Sequence, residues 1–481
     1  MLDCRLEPTL RQDSMKKQFV LGLLSCWLNV AQALAGETNQ VSQYGITWTF
    51  DKAYPVGQFC SGDYWVVGPV NVIQISTDLH APGFVPVPGE DGSMVNPGTD
   101  AKQGYDNRVS YSYDEKLNAA LIDGKPISAQ TPLQLKTNSS LVSMVSWLFH
   151  SEKDAEPGAP KFFTIAKVMN APRSATRSGA VLTVLPMAPP QGSFRPPYAG
   201  SDKTVKFNVK DLDLSKLKNL PPVAETPSVE SLEKEMARPW IDHVNRWLGA
   251  MVHPTENMPN YGREIAIQSS RVALMLQLDF SMLPGKPTKD KLVIELVQFG
   301  IDCTGIADAG GGWPHDGGHA FGRKLPILFA GAMLHDAHMK DAGHWKTRFQ
   351  EDEQTFYVTQ KEVDMTHSPK WTPDKRAGEP EPYTKEDIGT PEWGILHAFE
   401  PNTDNRARSA IYRPVNSLVY PGMILAARSM GLEEAWNHQA LFDYTDRWMK
   451  LTHGRYGSDG AGDSPVFFIN MWDKYGSANA P

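Results

Sequence analysis

The chain has 481 residues, of which 41% are apolar and 21% charged, and its formal net charge is −8. This balance excludes a disordered or coiled chain, and the length exceeds what one ordinary core organises, so two domains of unequal size are expected. It also excludes a broad basic surface for nucleic acid or anionic membrane, while leaving room for a local basic cleft that takes an acidic ligand.

Residues 1–35 read as a signal peptide. Met15-Lys16-Lys17 is a basic n-region, Phe19 to Leu24 is apolar, and Ala33-Leu34-Ala35 fits a small-residue cleavage site, with Met15 the expected start. The apolar run is too short to span a bilayer, so a secreted or periplasmic protein is expected, with no membrane span. Leu24-Ser25-Cys26 gives the weaker alternative of a lipoprotein. Cleavage leaves Cys60 and Cys303, which either pair in an oxidising compartment or remain as two free thiols.

Residues 36–188 read as strand-rich. Ile46–Phe50, Asn71–Ser76, Arg108–Tyr113, Leu141–Trp147, Phe162–Ala166 and Ala180–Leu185 are short, β-branched or aromatic runs parted by Pro, Gly, Asp and Asn. Strands without intervening helices predict an antiparallel β-sandwich-like domain. Trp48, Phe50, Phe59, Tyr64 and Trp65 belong to its core or to a sugar-facing platform, and the core is the commoner fate of such aromatics. Residues 189–227, rich in Pro, Lys and polar side chains, read as a surface strap linking two domains.

Residues 228–481 read as helical. Ser228 is a helix start, and Trp240, Val244, Trp247 and Leu248 recur at helical spacing. Glu264–Phe280 is apolar nearly all round, and Lys291–Phe299, Leu325–His335, Pro414–Met430 and Glu433–Lys450 read as further helices. The polar stretch from Gln350 to Thr390 is a candidate rim loop. Buried and amphipathic helices joined by decorated loops predict an α/α toroid, or barrel, whose loops build a cleft.

Three loops in this half carry the chemistry. Between Gly310 and Lys324 lie six glycines, Trp313, His315, His319 and the pair Arg323-Lys324. Glycines so dense let a backbone turn sharply or approach a ligand, and the histidines can move protons near neutral pH. His315 and His319 have a spacing that suits a metal on one helix face, but Gly317 and Gly318 interrupt it and no third ligand follows, so no metal is expected. Arg323 and Lys324 can hold a carboxylate, and Trp313 offers either a flat face for a sugar or a packed side chain. A second loop, Asn257 to Glu264, supplies Asn260, Tyr261 and Arg263 at a helix start, where backbone N–H groups favour anions; capping is the alternative. The third, Glu392 to Arg413, brings Trp393, His397, Arg406, Arg408, Tyr412 and Arg413 together, and nearby cations would favour the Tyr412 phenolate.

Cleaving a uronate polymer by β-elimination needs a base for C5–H, an acid for the departing O4, and a cation or amide on the carboxylate. His, Tyr and Arg meet these needs without a metal or organic cofactor. At Gly-Gly-His319-Ala-Phe-Gly-Arg323-Lys-Leu-Pro-Ile-Leu-Phe-Ala-Gly and at Arg406-x5-Tyr412-Arg413 the helical half resembles exported α/α-toroid polysaccharide lyases, most nearly the glucuronan and alginate lyase family. The resemblance implies His319 as base or proton shuttle, Tyr412 as general acid or base, and Arg406 as neutraliser of the uronate carboxylate. Trp313, His315, Arg323, Asn260, Tyr261, Arg263, Trp393 and Arg413 are the expected substrate contacts, and an acidic polysaccharide is the expected partner. An inverting glycoside hydrolase on the same toroid, with carboxylates drawn from Glu264, Asp308, Asp316, Glu392 and Asp404, and a non-catalytic glycan-binding protein are the alternatives.

Overall fold

The computed structural model describes residues 36–149, 153–165, 167–244, 246–369, 371, 381–394, 412–456 and 462–476. The expected signal peptide and residues 395–411, which include His397, Arg406 and Arg408, lie outside them.

The first half contains β1 (Gly36–Gln43), β2 (Ile46–Gln58), β3 (Tyr64–Val67), β4 (Val70–Thr77), β5 (Ser93–Val95), β6 (Leu121–Ile122), β7 (Lys125–Pro126), β8 (Leu133–Leu135), β9 (Ser139–Ser146), β10 (Phe162–Ile165), β11 (Met169–Pro172) and β12 (Thr176–Leu185). Eight of these form one large curled sheet in the order β5-β9-β12-β3-β2-β4-β8, with β1 paired to β2. Its pairings are antiparallel except β12 on β3. Strands β10 and β11 form a separate hairpin.

The expected strand at Arg108–Tyr113 is instead a run of turns. Val109 N bonds Asp106 O at 3.3 Å, and Ser112 N and Tyr113 N both bond Val109 O. The Asp106 carboxylate takes both the backbone N–H and the guanidinium of Arg108, a local bond that competes with strand pairing.

The helices are α1 (Val229–Met236), α2 (Arg246–Gly249), α3 (Gly262–Met275), α4 (Asp290–Asp308), α5 (Lys324–Met333), α6 (Ala337–Lys340), α7 (Gln350–Glu353), α8 (Gln360–Thr366), α9 (Tyr412–Ser417), α10 (Tyr420–Ser429), α11 (Glu433–Trp436), α12 (Gln439–Thr452) and α13 (Val466–Tyr475). A short ribbon, β13 (Thr355–Tyr357) with β14 (Pro391–Trp393), joins them. Ser228 caps α1 by accepting from Ser231 N, as its residue type implies. The helical spacing of Trp240, Val244, Trp247 and Leu248 misleads, because among the described residues only Arg246–Gly249 is helical there. The helix expected over Glu433–Lys450 is broken at Asn437, whose φ of 55° ends α11 in the left-handed region.

The fold is mixed α and β, and contacts gather Ala35–Pro481 into one unit. Strand β9 shows how. Its alternate residues Leu141 and Val145 pack with Trp48, Phe50 and Val66, whereas Val142 and Met144 pack with the helical core that contains Ile265, Leu296 and Leu328. A strand buried on both faces needs both neighbours. The stretch 189–227 is also partly interior: Arg195 is fully buried and joins Asp63, which precedes β3, to Asp302 of α4. Of the two alternatives for Cys60 and Cys303, the structure has the second: both are free thiols.

Candidate functional site

The glycine-rich loop that leads into α5 rests on one buried carboxylate. Asp242 accepts from Arg323 Nε at 2.7 Å, from Arg323 Nη2 at 2.8 Å and from Trp313 Nε1 at 2.9 Å. Burial works to raise the Asp242 carboxyl, but Arg323 and His253 outweigh it and hold the group well below the usual carboxylate range. Trp313 and Arg323 are 2% and 1% exposed, and the Trp313 ring stacks on Phe349. Their expected role as substrate contacts is therefore corrected: both are enclosed by protein and anchor the loop. Lys324 is likewise buried and bonded to Asp352 and to Trp436 O.

Above this foundation the loop turns at a single heavily used carbonyl. Gly317 O accepts from Gln350 Nε2 at 2.6 Å, Asn416 Nδ2 at 2.9 Å and Gln354 Nε2 at 3.2 Å. Gln350 Oε1 in turn takes the N–H groups of Asp316 and Ala320. Three side-chain amides from α7, the turn after it and α9 thus fix the segment that carries His319.

His319 and Tyr261 meet there. Their rings pack edge to face with centroids 4.5 Å apart, and both residues are half-buried. Two glycines make the approach possible. A Cβ on Gly318 would lie 2.2 Å from Tyr261 Oη and 2.7 Å from Asn416 Oδ1, and one on Gly262 would lie 2.0 Å from His319 O. Tyr261 is the N-cap of α3, and Arg263 N bonds Gly318 O at 2.9 Å, so the start of α3 is docked on the loop. The structure therefore joins the first and second predicted loops, bringing an imidazole and a phenol into contact.

The third loop is reached through α9. Tyr412 opens this helix, and Asn416, one turn later, is the residue bonded to Gly317 O. The Tyr412 side chain and all of Arg406 lie outside what is described. Arg413 is 3% exposed, paired to the 1% exposed Glu392 and set over the Tyr444 ring, and Trp393 is fully buried in β14. For these two the expected substrate contact is corrected as well, because protein groups occupy them.

Asn260, Tyr261, Arg263 and His315 remain partly accessible. Arg263 pairs with Glu264 and lies over the Tyr261 ring at 5.3 Å. His315 Nδ1 sits 2.7 Å from Glu353 Oε2, and the same carboxylate accepts the His315 backbone N–H. Burial works to raise Glu353, but Arg348 and His315 together hold its carboxyl below the usual range. Beside it, Glu351 is fully buried, and burial pushes its carboxyl up to about 7. Among the described residues no group of three His, Cys, Asp or Glu side chains is placed to hold a metal.

Asp242, Gln350, Gln354 and Asn416 are the site residues that local sequence reading does not single out. Their signal is long-range: each acts on a backbone or side chain at least 33 residues away. Asp242 lay within reach as the acidic residue in Trp240-Ile-Asp-His243, but nothing in that run names its partner. Compared with known proteins, the chain matches no family model, no curated protein and no solved structure.

Proposed function

We propose that this chain is a secreted or periplasmic polysaccharide lyase that cleaves an acidic, uronate-containing polysaccharide, of the glucuronan or alginate type, by β-elimination. The observation that carries the reading is the contact of Tyr261 with His319 on a loop tied by Asn416 to the helix that Tyr412 opens. Imidazole and phenol are the two proton-transfer groups the reaction calls for, one taking C5–H and one returning a proton to O4.

In this reading His319 is the base or shuttle, Tyr412 the acid or base, and Arg406 the group that neutralises the carboxylate. Tyr261 packs against the His319 ring and limits how it turns. The amide clamp on Gly317 O keeps the loop still while charge develops, which is the preorganisation such chemistry rewards. The α/α-toroid arrangement of the helices and a sandwich-like strand layer belong to the same proposal.

Incubation with a panel of uronate polymers tests it. An ultraviolet-absorbing unsaturated product is expected. New reducing ends without that product would indicate a hydrolase, and retention without cleavage a glycan-binding protein. If Tyr412→Phe and His319→Ala both keep wild-type elimination activity, the assignment of these residues is wrong.

A further inference from the structure

The cations around the candidate site fall into two groups. Arg263 is paired with Glu264, Arg323 with Asp242, Lys324 with Asp352, Arg348 with Glu353, and Arg413 and Arg447 with Glu392. Each of these cations touches a carboxylate, with Arg413 and Arg447 sharing that of Glu392. Arg173, from the turn between β11 and β12, differs. Its Nε is buried without a hydrogen-bond partner, its guanidinium lies 5.8 Å from the Phe163 ring centroid, and it forms no ion pair among the described residues.

Arg173 also adjoins the site. Its carbonyl oxygen accepts from Asn260 Nδ2 at 3.5 Å, and Asn260 directly precedes Tyr261, the residue packed on His319. Here α3, fourteen residues long, begins at Gly262 with no side-chain cap from Tyr261. The helix start adds partial positive charge near Asn260, although its N–H groups at Arg263, Glu264 and Ile265 are already bonded to Gly318 O and Tyr261 O. A guanidinium without a counter-ion among the described residues, on a residue whose backbone carbonyl holds the Asn260 amide, suits a carboxylate, which Arg can grip with two parallel bonds.

We propose that Arg173, carried by the strand-rich stretch, binds a uronate carboxylate beside Asn260 and makes the cleft select acidic over neutral glycans. This rests on the uronate reading of the cleft, and the test keeps the two separable. Arg173→Gln and Arg173→Lys are compared with the wild type in elimination kinetics on a uronate polymer. In parallel, calorimetry compares a uronate oligosaccharide with its carboxyl-reduced, neutral counterpart.

The expected result is a rise in KM of at least tenfold for Arg173→Gln, partial recovery for Arg173→Lys, and an unchanged melting temperature. Binding of the acidic oligosaccharide should weaken to match while binding of the neutral one stays the same. An active wild type whose Arg173→Gln variant keeps KM within twofold overturns the Arg173 proposal and leaves the lyase reading standing. A wild type that eliminates no uronate polymer but loses acidic binding on Arg173→Gln overturns the lyase reading alone. Equal wild-type affinity for acidic and neutral oligosaccharides, or none for either, overturns the selectivity.

Discussion

Asn416 Nδ2 donates to the carbonyl oxygen of Gly317 at 2.9 Å, from a position one helical turn after Tyr412. This bond links the segment holding His319 to the helix that Tyr412 opens. Asn416→Ala is expected to cost only about 1 kcal/mol of stability, since Gln350 and Gln354 still satisfy the carbonyl. Elimination activity should nevertheless fall at least tenfold, because small misplacements of reacting groups are costly. Urea melts and kcat measured on the same preparation check both halves.

Gly318 lies directly against the Tyr261 phenol. A methyl group there would sit 2.2 Å from Tyr261 Oη, so the phenol has to swing aside. Gly318→Ala is expected to lose at least tenfold in kcat with a modest fall in melting temperature. Gly318→Ala combined with Tyr261→Phe, which removes the clashing hydroxyl, should recover part of the lost stability. Wild-type kcat in the single variant would show that the Tyr261 position does not matter.

Removing the buried carboxylate under the loop is a heavier change. Asp242→Asn leaves Arg323, 1% exposed, without its counter-charge. Breaking a buried pair from one side costs about 3–5 kcal/mol. A clear drop in both the melting temperature and the urea midpoint is expected, measurable by circular dichroism. A variant as stable as the wild type would mean that water or another carboxylate reaches Arg323.

Glu351 gives a pH dependence of unusual sign. Its carboxyl stands at about 7 in the folded chain, against an ordinary value of 4.5. Between these two values the unfolded chain has released the proton and the folded one retains it, so stability falls as pH rises through the window and levels off above it. The loss attributable to this one group is on the order of 3 kcal/mol. Glu351→Gln, neutral and of similar shape, should remove that slope and be the more stable protein above pH 7. Urea midpoints measured from pH 4.5 to 8 test it, and an unchanged slope would show that Glu351 is not the group responsible.

Much of the fold can be read locally. The β-branched runs at β2, β4, β9 and β12 and the Ser228 cap of α1 are set by neighbours a few residues apart, which is the range over which pattern and propensity act. Arg108–Tyr113 carries the same alternation, yet the Asp106 carboxylate captures Arg108 and bends the chain into turns. The glycine-rich loop announces itself by composition. What composition cannot convey is which of its side chains face inward. Trp313 and Arg323 look like ligand groups until Asp242, 71 and 81 residues away in sequence, claims both. Likewise, Arg173 becomes noticeable only when the surrounding cations are seen to be paired and it is not.

Strand β9 packs alternate residues into two different cores, one lined by the sheet and one by the helices. Residues 228–476 produced alone would leave the apolar face that meets Val142, Met144 and Val181 open to water, and would aggregate. Recombination during evolution meets the same barrier. The strand-rich stretch cannot be exchanged like an appended binding module, and variation in it propagates directly into the packing behind His319.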